Sequence, residues 1–114
     1  MGDTFVDVDV HGDRGSKVLE KVLVDTGATK TVIDPRTAKE VGVQIISREE
    51  VDVKGQPVWL DQGFTRIRLQ AVEGVVPVWV SDVTPPVIGV TTLETLGFKV
   101  NPVTGKLEKT RPRL

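Results

Sequence analysis

The chain is dominated by side chains that branch at Cβ: 22 Val, 5 Ile and 12 Thr stand against 3 Ala and 8 Leu. Two heavy atoms on Cβ restrict χ1 in a helix and pack well on a pleated surface. The composition therefore favours strands. Turn signals punctuate the chain at short intervals, at Gly12–Gly15, Gly42, Gly55–Pro57, Gly63, Gly74, Pro85-Pro86 and Pro102–Gly105. Short strands at that spacing predict an all-β sandwich or barrel. A length of 114 residues fits one domain, residues 1–114, and leaves no room for two cores.

Residue patterns place the elements. Phe5–Val10 alternates Val with Asp and predicts a half-buried strand. After a loop at His11–Ser16, Val18–Val24 predicts a second strand that turns apolar on both faces as it reaches Asp25. Thr31–Ile33 resumes strand character. Asp34-Pro35 then signals a helix start, with Gly42 as its C-cap, so a helix is expected over Pro35–Val41. Val51–Leu60 predicts a hairpin with its tip at Lys54-Gly55-Gln56-Pro57. Thr65, Ile67, Leu69 and Ala71 form one face of the next strand, and Glu73-Gly74 is expected to turn the chain into Val75–Val83. Thr91-Thr92-Leu93-Glu94 fits a capping box with Thr91 as cap, predicting a short helix over Thr92–Leu96. A terminal hairpin follows around Asn101–Gly105.

Several function classes are excluded by what the chain lacks. Fifteen Lys plus Arg against 16 Asp plus Glu, a net charge of −1, argue against a nucleic-acid or anionic-lipid footprint. Lys106, Lys109, Arg111 and Arg113 surround Glu108 and read as a solvated edge or interface strand. Without Cys, and with His11 as the one His, thiolate or multi-histidine metal sites and Cys–His catalysis are ruled out. No metal or cofactor is expected. No apolar run approaches the roughly 20 residues of a membrane span, and the first residues lack signal-peptide order. A cytoplasmic location is the expectation. Carboxylates remain as the carriers of any chemistry.

The informative stretch is Val22-Leu23-Val24-Asp25-Thr26-Gly27-Ala28-Thr29-Lys30-Thr31-Val32-Ile33. Asp-x-Gly also occurs at Asp13-Arg14-Gly15 and Asp61-Gln62-Gly63, so the tripeptide alone carries little weight. Only Asp25 ends a fully apolar strand and precedes a small-residue turn and a second apolar strand. Burying a carboxylate is costly unless it is paired or hydrogen-bonded; Thr26 brings a hydroxyl and Gly27 an accessible N–H. The pattern suits a carboxylate that is partly desolvated and shares a proton.

Leu23-Val24-Asp25-Thr26-Gly27-Ala28 with Thr31-Val32-Ile33, followed downstream by Val87-Ile88-Gly89 and Leu93–Phe98, resembles the retropepsins, the retroviral-type aspartic peptidases. The resemblance spans roughly residues 5–110. It implies an acid-protease β-barrel with one or two short helices, one lobe per chain. It casts Asp25 as the catalytic aspartate, with Thr26 and Gly27 supporting the active-site loop. It implies substrate contacts from Gly27, Ala28, Val87, Ile88 and a flap carrying Lys54, Gly55 and Gln56. Family flaps are richer in glycine, whereas here Gly55 stands almost alone beside Pro57. The chemistry of the family needs two aspartates sharing a proton, and this chain supplies one, so a homodimer acting on extended peptide or unfolded protein is expected. A catalytically idle dimer of the same fold, binding peptide or assembling, is the alternative. Trp79 reads as core or interface packing, and Trp59, just after the flap tip, as packing or a cover over the cleft.

Overall fold

The computed structural model describes residues 3–111 together with Leu114, so Arg113 lies outside the described residues. The chain runs β1 (Phe5–Gly12), β2 (Gly15–Val24), β3 (Thr31–Ile33), α1 (Pro35–Val41), β4 (Gln44–Val53) and β5 (Gln56–Leu69). It continues with β6 (Val72–Val80), β7 (Val87–Ile88), α2 (Val90–Leu96), β8 (Phe98–Val100) and β9 (Leu107–Lys109). The main sheet is ordered β1-β2-β7-β3-β6-β5-β4, and a further pairing of β1 with β5 closes it into a barrel. β4 stays outside that closure, paired only along the first part of β5. The architecture is an all-β barrel with two short helices, as expected.

Alternation along the strands fills the barrel. Val8, Val10, Val22, Val24, Ile67, Leu69, Val76 and Val78 point inward and are buried, while Arg66 and Arg68 face out between them. A hydrogen-bonded first turn begins α1: Asp34 accepts from the Thr37 N–H at 3.0 Å, and Gly42 ends the helix at φ 81° with its N–H on the Ala38 carbonyl.

The first hairpin is tighter than expected, with only Asp13-Arg14 between β1 and β2, and β6 ends at Val80 rather than Val83. Three further boundaries differ from the sequence expectation. The β5–β6 turn is Gln70-Ala71, both at positive φ, not Glu73-Gly74. Gly74 instead lies in β6 opposite Ile67, where a Cβ would meet Leu96 Cδ2 at 3.0 Å; the glycine makes room for α2. The long hairpin reaches from Gln44 to Leu69, and its tip is Lys54-Gly55 alone, with both φ positive as in a type I′ turn. Gln56 and Pro57 already belong to β5.

The third difference is at α2. Its N-cap is Gly89, with no side-chain cap, and Thr91 lies inside the helix. The first N–H groups of the helix find acceptors outside it. Val90 donates to the Ala28 carbonyl at 2.8 Å and Thr91 to the Thr29 carbonyl at 2.9 Å. A helix start needs acceptors, and the loop after Asp25 supplies them. Gly89 sits so close that a Cβ would fall 2.4 Å from the Lys30 backbone. Behind this contact, the buried Thr31 hydroxyl accepts from the Gly89 N–H at 3.1 Å and lies 2.7 Å from the Thr92 hydroxyl.

Two stability predictions follow from these contacts. Thr31→Val orphans the Gly89 N–H and the Thr92 hydroxyl in the interior, and should cost about 2 kcal/mol or more in urea unfolding; a loss near zero contradicts the network. At Asp34, partial burial raises the carboxyl, but the bonds from Thr37 and the Lys17 charge outweigh it, leaving it below its ordinary value. The cap therefore contributes fully above the ordinary carboxylate pKa and fades as pH falls through the lower folded value. Asp34→Ala should cost about 1 kcal/mol near neutrality, with the deficit shrinking in acid; a deficit that grows on acidification contradicts the sign.

Candidate active site

Asp25 stands where β2 leaves the barrel. Its N–H donates to the Ile88 carbonyl at 2.9 Å, which ties the end of β2 to β7. β2 and β7 run parallel there, with Leu23 opposite Val87 and Val24 opposite Ile88. Downstream, the Asp25 carbonyl accepts from the Ala28 N–H at 3.0 Å, and carboxylate Oδ1 accepts from the Gly27 N–H at 2.9 Å. A Cβ on Gly27 would lie 3.2 Å from Oδ1, tighter than ordinary contact. Glycine thus lets the turn close on the carboxylate. Asp25 is half-buried, whereas Thr26 and Gly27 are exposed beside it.

The carboxylate opens onto a cleft of about 460 Å³. Its floor is Asp25, Gly27, Ala28 and Thr29, and its far side is the hairpin strand Val51–Lys54. Leu60, Trp79, Val32 and Val87 supply an apolar wall, and Val83–Pro85 closes one end. Val32, Leu60, Trp79 and Val87 also form a second hydrophobic cluster apart from the barrel core, joined by Leu23, Ala28, Val51 and Val58. A short apolar surface, the Asp25 carboxylate and a hairpin whose lining residues include Asp52 thus meet in one cleft.

The residues singled out from sequence divide between the cleft and other surfaces. Gly27, Ala28, Lys54 and Val87 line the cleft. Gly55 lies instead on a shallow surface with Glu50, Asp52 and Pro57, and its N–H is held by Asp52 Oδ1 at 2.7 Å. Gln56 is exposed and outside the cleft lining. Ile88 is a correction. Successive strand residues face opposite sides, so while Val87 faces the cleft cluster, the Ile88 side chain is enclosed in the barrel core. Its contribution to the site is the carbonyl under Asp25. Trp79 packs as expected, 8% exposed. Trp59, 56% exposed, lies between Val58 and Leu60, which join the cleft cluster, and so takes the outer face of the hairpin. It does not cover the cleft.

A polar cluster behind the wall escaped sequence reading. Lys30 Nζ lies 2.8 Å from Glu49 Oε1, donates to Gln62 Oε1, and sits 5.4 Å from the centroid of the Trp79 ring. Trp79 Nε1 donates to the same Glu49 oxygen at 2.8 Å. The Lys30 ammonium and then the Trp79 N–H hold the Glu49 carboxyl below its ordinary value. A lysine at the end of an otherwise uncharged turn of small residues is the available signal; its partners become neighbours only through the β4–β5 and β5–β6 pairings.

Among the described residues no cluster of His, Cys, Asp and Glu could hold a metal ion, and no helix is long and apolar enough to cross a membrane. No curated protein matches the chain. A family profile described as aspartyl protease matches residues 6–95, from the first strand through nearly all of α2. That span includes Asp25, the overhanging hairpin and the β7–α2 element beneath the loop, and the chain belongs to this aspartyl protease family of the retropepsin-like clan.

Proposed function

We propose that the protein is a homodimeric aspartic endopeptidase in which Asp25 of each subunit meets at a twofold axis. The observation that carries the reading is the Asp25 carboxylate, held by the Gly27 N–H at the cleft and flanked by the exposed Thr26-Gly27 edge. Asp52, the other aspartate of the lining, is instead engaged by the Gly55 N–H of the hairpin tip. Two carboxylates brought into contact cannot both ionise cheaply and share one proton. The ionised member takes a proton from water, whose oxygen attacks the peptide carbonyl carbon. The protonated member donates to the carbonyl oxygen. Collapse of the resulting diol breaks the C–N bond, and the departing nitrogen receives a proton from the pair.

Extended peptide suits the cleft as substrate. A strand lying between the floor at Gly27–Thr29 and the hairpin edge at Val51–Lys54 would find backbone partners on both sides. Trp79, Leu60, Val32 and Val87 offer an apolar side-chain site beside the carboxylate. Thr26 is assigned to contacts between the two loops across the axis, and Gly27, Ala28, Lys54 and Val87 to contacts with substrate.

Wild-type protein should cleave a denatured protein at acid pH, and Asp25→Asn should not; equal cleavage by both contradicts the assignment. Specific activity should fall on dilution as the dimer dissociates. Ala28 lines the cleft without a hydroxyl. Ala28→Ser would offer a donor to the ionised dyad, and hydrogen bonding to the charged form favours it. Both limbs of the pH–rate profile should move down by a fraction of a unit to about one unit. An upward movement contradicts a dyad within reach of that position.

A further inference from the structure

The β4–β5 hairpin leaves the barrel at a definite point. From Asp61 to Leu69, β5 is paired on its other side with β6, beginning at Asp61 opposite Val80. From Gln56 to Leu60 it is paired with β4 alone. A two-stranded hairpin is marginal without further support, so its angle over the cleft depends on what grips its root. Glu49 stands opposite Leu60 at that root. Its carboxylate faces Lys30 from the active-site loop, the Trp79 N–H from β6 and, around the same ammonium, the Gln62 amide from β5. Arg48 and Asp61, 3.6 Å apart, are exposed and form a separate pair.

The Lys30 side chain is 17% exposed, an enclosure that lysine tolerates only with partners. Five residues beyond Asp25, Lys30 therefore connects the loop that carries the carboxylate to the root of the hairpin and to the aromatic wall between them.

We propose that Lys30 is a positioning residue: with Glu49 and Trp79 it latches the hairpin root to the active-site loop and holds the Trp79 ring as the wall of the cleft. The proposal rests on the reading that this cleft binds peptide. Its consequence falls on substrate binding rather than on the chemical step. The latch sits behind the wall and outside the cleft lining, so its loss misplaces the wall and hairpin without touching Asp25.

The test uses the whole 114-residue chain carrying Trp59→Phe, so that Trp79 is the one tryptophan, and a peptide substrate. Lys30→Met should raise KM about threefold to tenfold, the range of a partly enclosed ion pair, with kcat unchanged. Lys30→Arg should restore KM. Without activity, two readouts remain. The pH midpoint of Trp79 fluorescence, set by Glu49, should rise in Lys30→Met, and amide exchange over residues 49–60 should accelerate. Unchanged KM, midpoint and exchange in Lys30→Met overturn the latch, as does a fall in kcat at constant KM. If Lys30→Met fails to fold, Glu49→Gln removes the charge but keeps an acceptor for Trp79, and the same changes in KM and exchange are required of it. If wild type cleaves no peptide, the protease reading fails, while fluorescence and exchange still decide the latch.

Discussion

The position of Asp25 depends on a mutual satisfaction of backbone groups. The loop after Asp25 carries carbonyls that β2 and β3 cannot pair, and the start of α2 carries N–H groups with no acceptor in their own helix. Main-chain groups taken out of water must find partners, and these two sets find each other, Val90 donating to Ala28 and Thr91 to Thr29, while Asp25 donates its own N–H to the Ile88 carbonyl of β7. The approach requires Gly89, because any side chain there would run into Lys30. Thr31 and Thr92 then close the remaining polar positions behind it. The carboxylate is thus aimed by an element that lies far along the chain, and moving α2 would move Asp25.

Around this contact the strands separate two apolar regions with a single backbone. Val32 and Val87 face the cleft, while Ile33 and Ile88 face the barrel. Period-two alternation lets one pair of short strands serve both as core and as cleft wall. The cost of the arrangement is that the hairpin completing the cleft has no sheet partner beyond its root. Polar groups behind the wall, Lys30 and Glu49 with the Trp79 N–H, occupy the place where more apolar packing would otherwise be needed.

Local signals in the sequence marked the features whose causes are local. Asp34 with Pro35 and Gly42 bounded α1, because caps act within one turn of the helix. Val-rich alternation indicated the barrel, and the apolar run into Asp25 indicated a carboxylate at a strand end. Features decided by distant partners were not legible. Thr91 and Glu94 have the spacing of a capping box, yet the Ala28 and Thr29 carbonyls reach the helix start instead. Gly74 resembles a turn residue, yet it is small to admit Leu96, and the turn forms at Gln70-Ala71 where the strand register requires it. Val87 and Ile88 stand side by side in one motif, yet alternation lets only Val87 face the cleft. Lys30 gave no sign of its partners because sheet pairing brings them together.

The central claim is that catalysis needs one Asp25 from each of two chains. Subunit mixing tests it most directly. Wild-type chains are allowed to exchange with increasing amounts of Asp25→Asn chains at constant total protein, and peptide cleavage is measured against the wild-type fraction. A dyad shared across the dimer predicts that activity falls as the square of that fraction, because a mixed dimer holds one carboxylate and cannot share a proton. A linear fall, with each wild-type chain keeping its full activity beside an Asp25→Asn partner, would contradict it.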